Sequence, residues 1–261
     1  MKILFMGDLV GSPGREAIGA LLPQIKEEEK IDFCIANVEN AAGGSGVNAE
    51  IVRELLGYGL ECLTSGDHIW KKKEVFQIIG SEPRLLRPAN YPEIAPGNGS
   101  GVYETAKGIK VGVVNILGRV FMDNIDCPFR AASREVEKLQ SRTKIIIVDI
   151  HAEATSEKKA MGYYLDGSVS VVLGTHTHVP TADEKILPKG TAYISDVGMV
   201  GPKNSILGRK PEQVLERFLT QIPTRFEIAE GEIELQAVVV DIDENTGLAN
   251  SIKRISKSIN C

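Results

Sequence analysis

The sequence predicts an α/β protein with a largely parallel or mixed sheet and helices on its faces. Short apolar runs alternate with amphipathic stretches along most of the 261 residues, which is the pattern of strands and crossover helices. Directly after several of those runs come polar clusters rich in Asp, Glu, Asn and His. The length is ample for a buried core in one α/β domain.

In chain order, Ile3–Met6 reads as the first strand and the amphipathic Arg15–Glu29 as the first helix. Phe33–Ala36, Ala49–Tyr58, Leu60–Thr64 and Lys72–Ile79 continue the alternation. Pro83–Gly101, rich in proline and glycine, reads as a long loop or cap, and loops of that length in a compact domain are often functional. Val111–Ile116, Ser133–Gln140, Ile145–Ile150, Val169–Leu173, Ala192–Ile194 and Pro211–Gln221 resume strands and helices. Toward the end, Phe226–Ala229, a turn at Glu230-Gly231, and Ile233–Ile242 read as a hairpin. The continuously apolar Val238–Val240 would join it to a sheet.

Composition excludes several classes. Charged residues at 25% and hydrophobic residues at 43% exclude a disordered or fibrous chain. No apolar run approaches the ~20 residues of a membrane span, and Met1–Met6 is a strand rather than a signal peptide. A net charge of −5 argues against a protein that coats long nucleic acid. Cys34, Cys62, Cys127 and Cys261 are scattered without a C-x-x-C pair, as expected of reduced thiols in a cytoplasmic protein. There is no internal repeat or linker, so residues 1–261 are expected to form a single domain.

Chemistry concentrates at the ends of the apolar runs. These are Gly7-Asp8, Asn37-Val38-Glu39-Asn40, Gly66-Asp67-His68, His151 and Gly174-Thr175-His176-Thr177-His178. Ligands of open α/β sheets bind at the carboxyl ends of strands, so these clusters converge on one edge. Imidazole and carboxylate together suit a metal site, and their number exceeds what one four-coordinate ion takes, which suits two ions sharing a carboxylate. Glycines before Asp8, Asp67 and His176 would allow sharp turns and close approach. Taken singly, a Gly-Asp is usually a turn, Asn-Val-Glu-Asn a helix cap, and His151 a satisfied core histidine. All four histidines, however, sit at strand ends beside other ligand-type side chains, where the bland reading would scatter them. Gly7, Gly11 and Gly14 have the wrong spacing for a dinucleotide fingerprint. A Ser-His-Asp triad would leave the carboxylates unexplained. Lys71-Lys72-Lys73 reads as a solvated helix start, with a phosphate contact as the alternative.

This order of motifs resembles the calcineurin-like metallophosphoesterases, and more closely their YmdB-type branch, the bacterial 2',3'-cyclic-nucleotide phosphodiesterases. The stretches that carry the resemblance are Gly7–Arg15, Asn37–Ala42, Arg87–Asn90, Asp149–Lys158, Gly174–Val179 and Ile186–Gly201, so it runs from Met1 to about Asp243. It implies two packed mixed β-sheets flanked by helices, with a dinuclear centre at one edge. Position by position it implies Asp8, Asn40 and His178 as ligands of one divalent ion, and Asp67, His151 and His176 as ligands of a second. Glu39 would bridge them, and His68 would act as the proton donor. Iron or manganese is the implied metal, a small cyclic nucleotide or other short phosphodiester the implied substrate, and a homo-oligomer the implied assembly.

In that reaction a metal-activated water attacks phosphorus and His68 protonates the leaving ribose oxygen, yielding a nucleoside monophosphate. Two departures stand out. Asp67 replaces the family's Asn, and the superfamily's usual histidine after the first Asp is missing, its place filled by Asn40. Competing readings are an amidohydrolase, whose His-x-His pair usually lies on the first strand rather than late in the chain, and a CapA-like relative. A regulatory protein that senses a nucleotide through the metal site is the non-enzymatic alternative.

Overall fold

In the computed structural model, which describes residues 1–260, the strands are β1 (Lys2–Met6), β2 (Asp8–Leu9), β3 (Phe33–Asn37), β4 (Cys62–Thr64), β5 (Ser100–Glu104), β6 (Lys110–Leu117), β7 (Ile145–His151), β8 (Val171–Thr175), β9 (Lys185–Ile186), β10 (Ala192–Ile194), β11 (Met199–Pro202), β12 (Ile233–Ile242) and β13 (Ala249–Ile259). The helices are α1 (Gly11–Glu29), α2 (Ala49–Gly57), α3 (Pro128–Gln140), α4 (Thr155–Leu165) and α5 (Pro211–Thr220). One sheet has the order β2-β11-β12-β1-β3-β4 with β13 paired to β12; the other runs β5-β6-β7-β8-β10-β9. Both are mixed: β1, β3 and β4 are mutually parallel and β12 antiparallel to them, while β6, β7, β8 and β10 are parallel between antiparallel edges.

The alternation of side chains across each strand explains the layering. Ile3 and Phe5 of β1 meet Ile145 and Ile147 of β7 in the core between the sheets, whereas Leu4 and Met6 face the cluster that holds Ile18 and Leu22 of α1. Ile146, Val148 and Ile150 turn the other way, toward Val136 of α3 and Met161 of α4. The order is therefore helix, sheet, sheet, helix. Strands buried on both faces read as unbroken apolar runs, which is why the runs alone marked the strands, while the two packed mixed sheets are those the family resemblance implies.

Four segments differ from the sequence reading. The hairpin at the end joins β12 to β13, with register Ile233↔Ile259 through Ile242↔Ala249. Phe226–Ala229 contributes only an isolated bridge from Ile228 to Arg209. Strand β13 is an edge strand whose Ile252, Ile255 and Ile259 are spaced three and four apart and pack on opposite faces of the sheet, so with the lysines and arginine that protect an edge between them no alternation of period two is visible. Lys72–Ile79 is not an α-helix: two 3-10 turns, Asp67–Trp70 and Lys73–Gln77, occupy that region. Helix α4, which the apolar pattern did not mark, packs against β8.

Pro83–Gly101 is not a cap over the strand ends. Leu85, Leu86, Ala89 and Asn90 are buried, and bridges Leu63↔Leu85 and Leu86↔Asn98 lay the segment beside β4. Arg87 pins it by donating to the carbonyls of Pro88 at 2.8 Å, Ala95 at 3.2 Å and Pro96 at 3.2 Å. Cys34 and Cys62 are buried free thiols and Cys127 is half-buried; Cys261 lies outside the described residues. Among the described residues no helix is long and apolar enough to cross a membrane.

Candidate metal centre

Both sheets present their carboxyl ends at one edge, and the clusters meet there. Asp8 follows β1, Glu39 and Asn40 follow β3, and Asp67 and His68 open the 3-10 turn after β4. From the second sheet, His151 is the last residue of β7, and His176 and His178 follow β8. Two positions tolerate nothing larger than glycine. A Cβ at Gly66 would overlap the His151 ring and the Glu39 carboxylate, and one at Gly174 would overlap the Ser195 carbonyl. Neither carries a positive φ, so these glycines serve close approach rather than a left-handed turn.

Glu39, Asp67, His151 and His176 form the tightest group, each offering one ligand atom within 4.8 Å of the others. His151 Nε2 lies 3.2 Å from Glu39 Oε1, 3.4 Å from Asp67 Oδ1 and 3.0 Å from His176 Nδ1. Asp8, Asn40 and His178 flank this group. Asp8 Oδ1 lies 4.0 Å from His178 Nε2, and Asn40 Nδ2 is 3.2 Å from that same nitrogen and 3.3 Å from Glu39 Oε1. Asp8 Oδ2 accepts the His176 backbone N–H at 3.0 Å. His68 stands at the rim: its backbone N–H donates to Glu39 Oε2 at 3.0 Å, and its Nδ1 is 2.7 Å from Asn40 Oδ1.

Surrounding residues fix which atoms face the centre. Asp149 accepts hydrogen bonds from Thr64 Oγ1 at 2.5 Å and Thr175 Oγ1 at 2.8 Å. With its proton given to Asp149, the Thr175 oxygen is left to accept Nδ1–H of His151 at 2.8 Å, which directs Nε2 inward as a lone-pair donor. His178 is oriented by Nδ1 at 3.3 Å from the Leu207 carbonyl, and His176 by Nε2 at 3.2 Å from Glu153.

The residues fit divalent cations. Asp8 Oδ1 and Asp67 Oδ1 are buried without a hydrogen-bond partner, and buried carboxylates are expensive unless something positive meets them. Burial pushes the Asp8 carboxyl up to about 7, against the opposing pull of His151. Burial disfavours charge on His151 too, yet Glu39 and Asp67 raise it well above its ordinary value. Burial and then the neighbouring His151 hold His176 low, and burial lowers His178, as suits neutral imidazole ligands. Carboxylates of this density call for positive charge at their centre.

Several residues here escaped the sequence reading. Glu153 lies two positions past His151, and Asp196 follows strand β10 as the other clusters follow theirs, so the strand-end rule applied once more would have found it. Asp196 Oδ2 accepts from Lys158 Nζ at 2.7 Å and from the Thr177 backbone N–H at 3.1 Å. Beside the cluster opens a cavity of about 600 Å³ lined by Glu39, His68, His176 and His178 on one side and by Leu207, Phe218 and Phe226 on the other. The segment bearing α5 lines one side of it, whereas Pro83–Gly101 contributes nothing to it and Lys71, Lys72 and Lys73 are exposed outside it.

Comparison with solved structures defines the class. The calcineurin-like phosphoesterase YfkN from Bacillus subtilis superposes with a TM-score of 0.57 at 10% identity, over 99% of this chain and 90% of that one. The fold is that of the calcineurin-like phosphoesterases. Within that class, a crystal structure described as a novel phosphatase from Mycoplasma pneumoniae matches with a TM-score of 0.91 at 35% identity, over 99% of this chain and 93% of that one. The chain belongs to the YmdB-like protein family, whose sequence model matches residues 4–255. A relative from Bacillus subtilis (strain 168), named 2',3'-cyclic-nucleotide 2'-phosphodiesterase, is 49% identical over 255 residues, 98% of this chain and 96% of that protein.

Proposed function

We propose that this protein is a dinuclear metal-dependent phosphodiesterase that hydrolyses 2',3'-cyclic nucleotides to nucleoside monophosphates. The observation that carries the reading is the pair of buried, partnerless carboxylate oxygens, Asp8 Oδ1 and Asp67 Oδ1, set among three inward-facing histidines beside a cavity of nucleotide size. The relative's name supplies the substrate class. Asp67, His151 and His176 would hold one ion, Asp8, Asn40 and His178 the other, and Glu39 would touch both; iron or manganese suits this donor set. Two such ions, when bound, lower the pKa of water and neutralise charge on phosphoryl oxygens.

The chain's own residues supply the rest. His68 lines the cavity, and Asn40 Oδ1 and Glu39 face its Nδ1 at 2.7 Å and 3.4 Å, so that the ring is oriented. Its Nε2, 3.5 Å from Asp67 Oδ2, is the nitrogen that would protonate the departing ribose oxygen, an alkoxide that otherwise leaves poorly. Thr175 and Asp149 keep the His151 lone pair directed inward.

Turnover of 2',3'-cyclic AMP by the purified protein, compared among wild type, Glu39→Gln and His68→Ala, tests this. Glu39→Gln is expected to lose metal and activity together. His68→Ala is expected to keep its metal and lose about 10²–10⁴-fold in turnover. Binding of the nucleotide without turnover under any divalent metal would make the protein a sensor instead.

A further inference from the structure

The cavity has two unlike ends. One end is carboxylate, amide and imidazole; the other is a wall from the segment around α5, on which Leu207, Phe218 and Phe226 stand 46%, 71% and 37% exposed. Apolar side chains left in water beside a polar centre are unfavourable unless something covers them. The wall is also held in place relative to the centre. Arg209 donates through Nη2 to the Gly44 carbonyl, on the loop that carries Glu39 and Asn40, and its Nη1 reaches the Phe226 carbonyl at 3.5 Å. A Cβ at Gly44 would collide with that guanidinium, so loop and wall are closely fitted there.

A nucleotide has the same division, with an anionic phosphate at one end and an apolar, aromatic base at the other. We propose that Phe218 and Phe226 form a base-stacking subsite, and that α5 and its flanking loops are the specificity element of the enzyme. The proposal rests on the phosphodiesterase reading of the centre. Of the two arginines on this wall, Arg209 is engaged with the Gly44 and Phe226 carbonyls and Arg217 stands beside Phe218, while the remaining lining is apolar, so a base is recognised chiefly by its π-face and area, and purines are held better than pyrimidines.

The test is the ratio of kcat/KM for 2',3'-cyclic AMP to that for methyl β-ribofuranoside 2',3'-cyclic phosphate, which lacks the base. Wild type is expected to favour the nucleotide, with the ratio falling about tenfold in Phe226→Ala and in Phe218→Ala. Phe226→Tyr, which retains a ring, is expected to keep it, and Phe226→Leu, which retains apolar volume, to lose it. A ratio unchanged in the alanine variants overturns the subsite. If wild type hydrolyses neither compound, the phosphodiesterase reading fails. Calorimetric binding of 3'-AMP against ribose 3-phosphate then decides the subsite separately: a preference for 3'-AMP lost in Phe226→Ala upholds it, and equal affinities overturn it.

Discussion

His151 shows how much of the candidate metal centre depends on residues outside the proposed ligand set. The imidazole is fully buried, yet its useful direction comes from Thr175, whose hydroxyl stands between His151 Nδ1 and the Asp149 carboxylate. The ligand-type residues were legible because Asp, Glu, Asn and His at strand ends form a pattern that chance rarely makes. The roles of Thr64 and Thr175 were not, because a threonine acquires its role only from the neighbours that folding supplies. At Asp67 the family resemblance implies an asparagine. A carboxylate adds charge to the site, and affinity for hard cations rises with ligand charge. Asp67→Asn is expected to weaken metal retention by ~10-fold, measured by chelator competition, while raising turnover per loaded site through greater Lewis acidity. Equal retention in both proteins would show that this carboxylate does not contribute to the ion.

Among the elements, the loop after β8 is the most demanding. His176 and His178 have φ of 107° and 63°, a left-handed backbone that non-glycine residues adopt only when held there. The hold comes from Asp196, which takes the Thr177 N–H between the two histidines and pairs with Lys158, both side chains being 2% exposed. Asp196→Ala strands a buried ammonium and frees that backbone, so it is expected to cost about 3–5 kcal/mol in denaturant unfolding. A loss below ~1 kcal/mol would mean that the loop holds its shape unaided. Elements were read from the sequence where apolar periodicity ruled, as in α1, β3 and β7. The reading failed where charge interrupted the pattern, as in β13, and in the fold's treatment of its loops. Pro83–Gly101 has the composition of a lid but spends its buried leucines against β4, while the helix that lines the cavity is α5, through Val214 and Phe218.

The molecule as a whole places chemistry where two sheets end together. Neither sheet alone holds the centre: Asp8, Glu39 and Asp67 belong to the first and His151, His176 and His178 to the second. Packing Ile3 and Phe5 against Ile145 and Ile147 is thus also what brings carboxylates to imidazoles. The acidic balance of the chain is affected in the same place. Three of the acidic side chains behind the net charge of −5 stand at this edge, where cations would offset them, so the overall charge does not oppose a small anionic substrate.

The strand-end cluster is proposed to work with two ions. Titration of chelator-stripped protein with manganese, following bound metal and hydrolysis of 2',3'-cyclic AMP together, measures this directly. Activity is expected to rise until two ions are bound per chain, and Glu39→Gln is expected never to reach that plateau. Full activity with one ion bound, or undiminished activity with none, would contradict it.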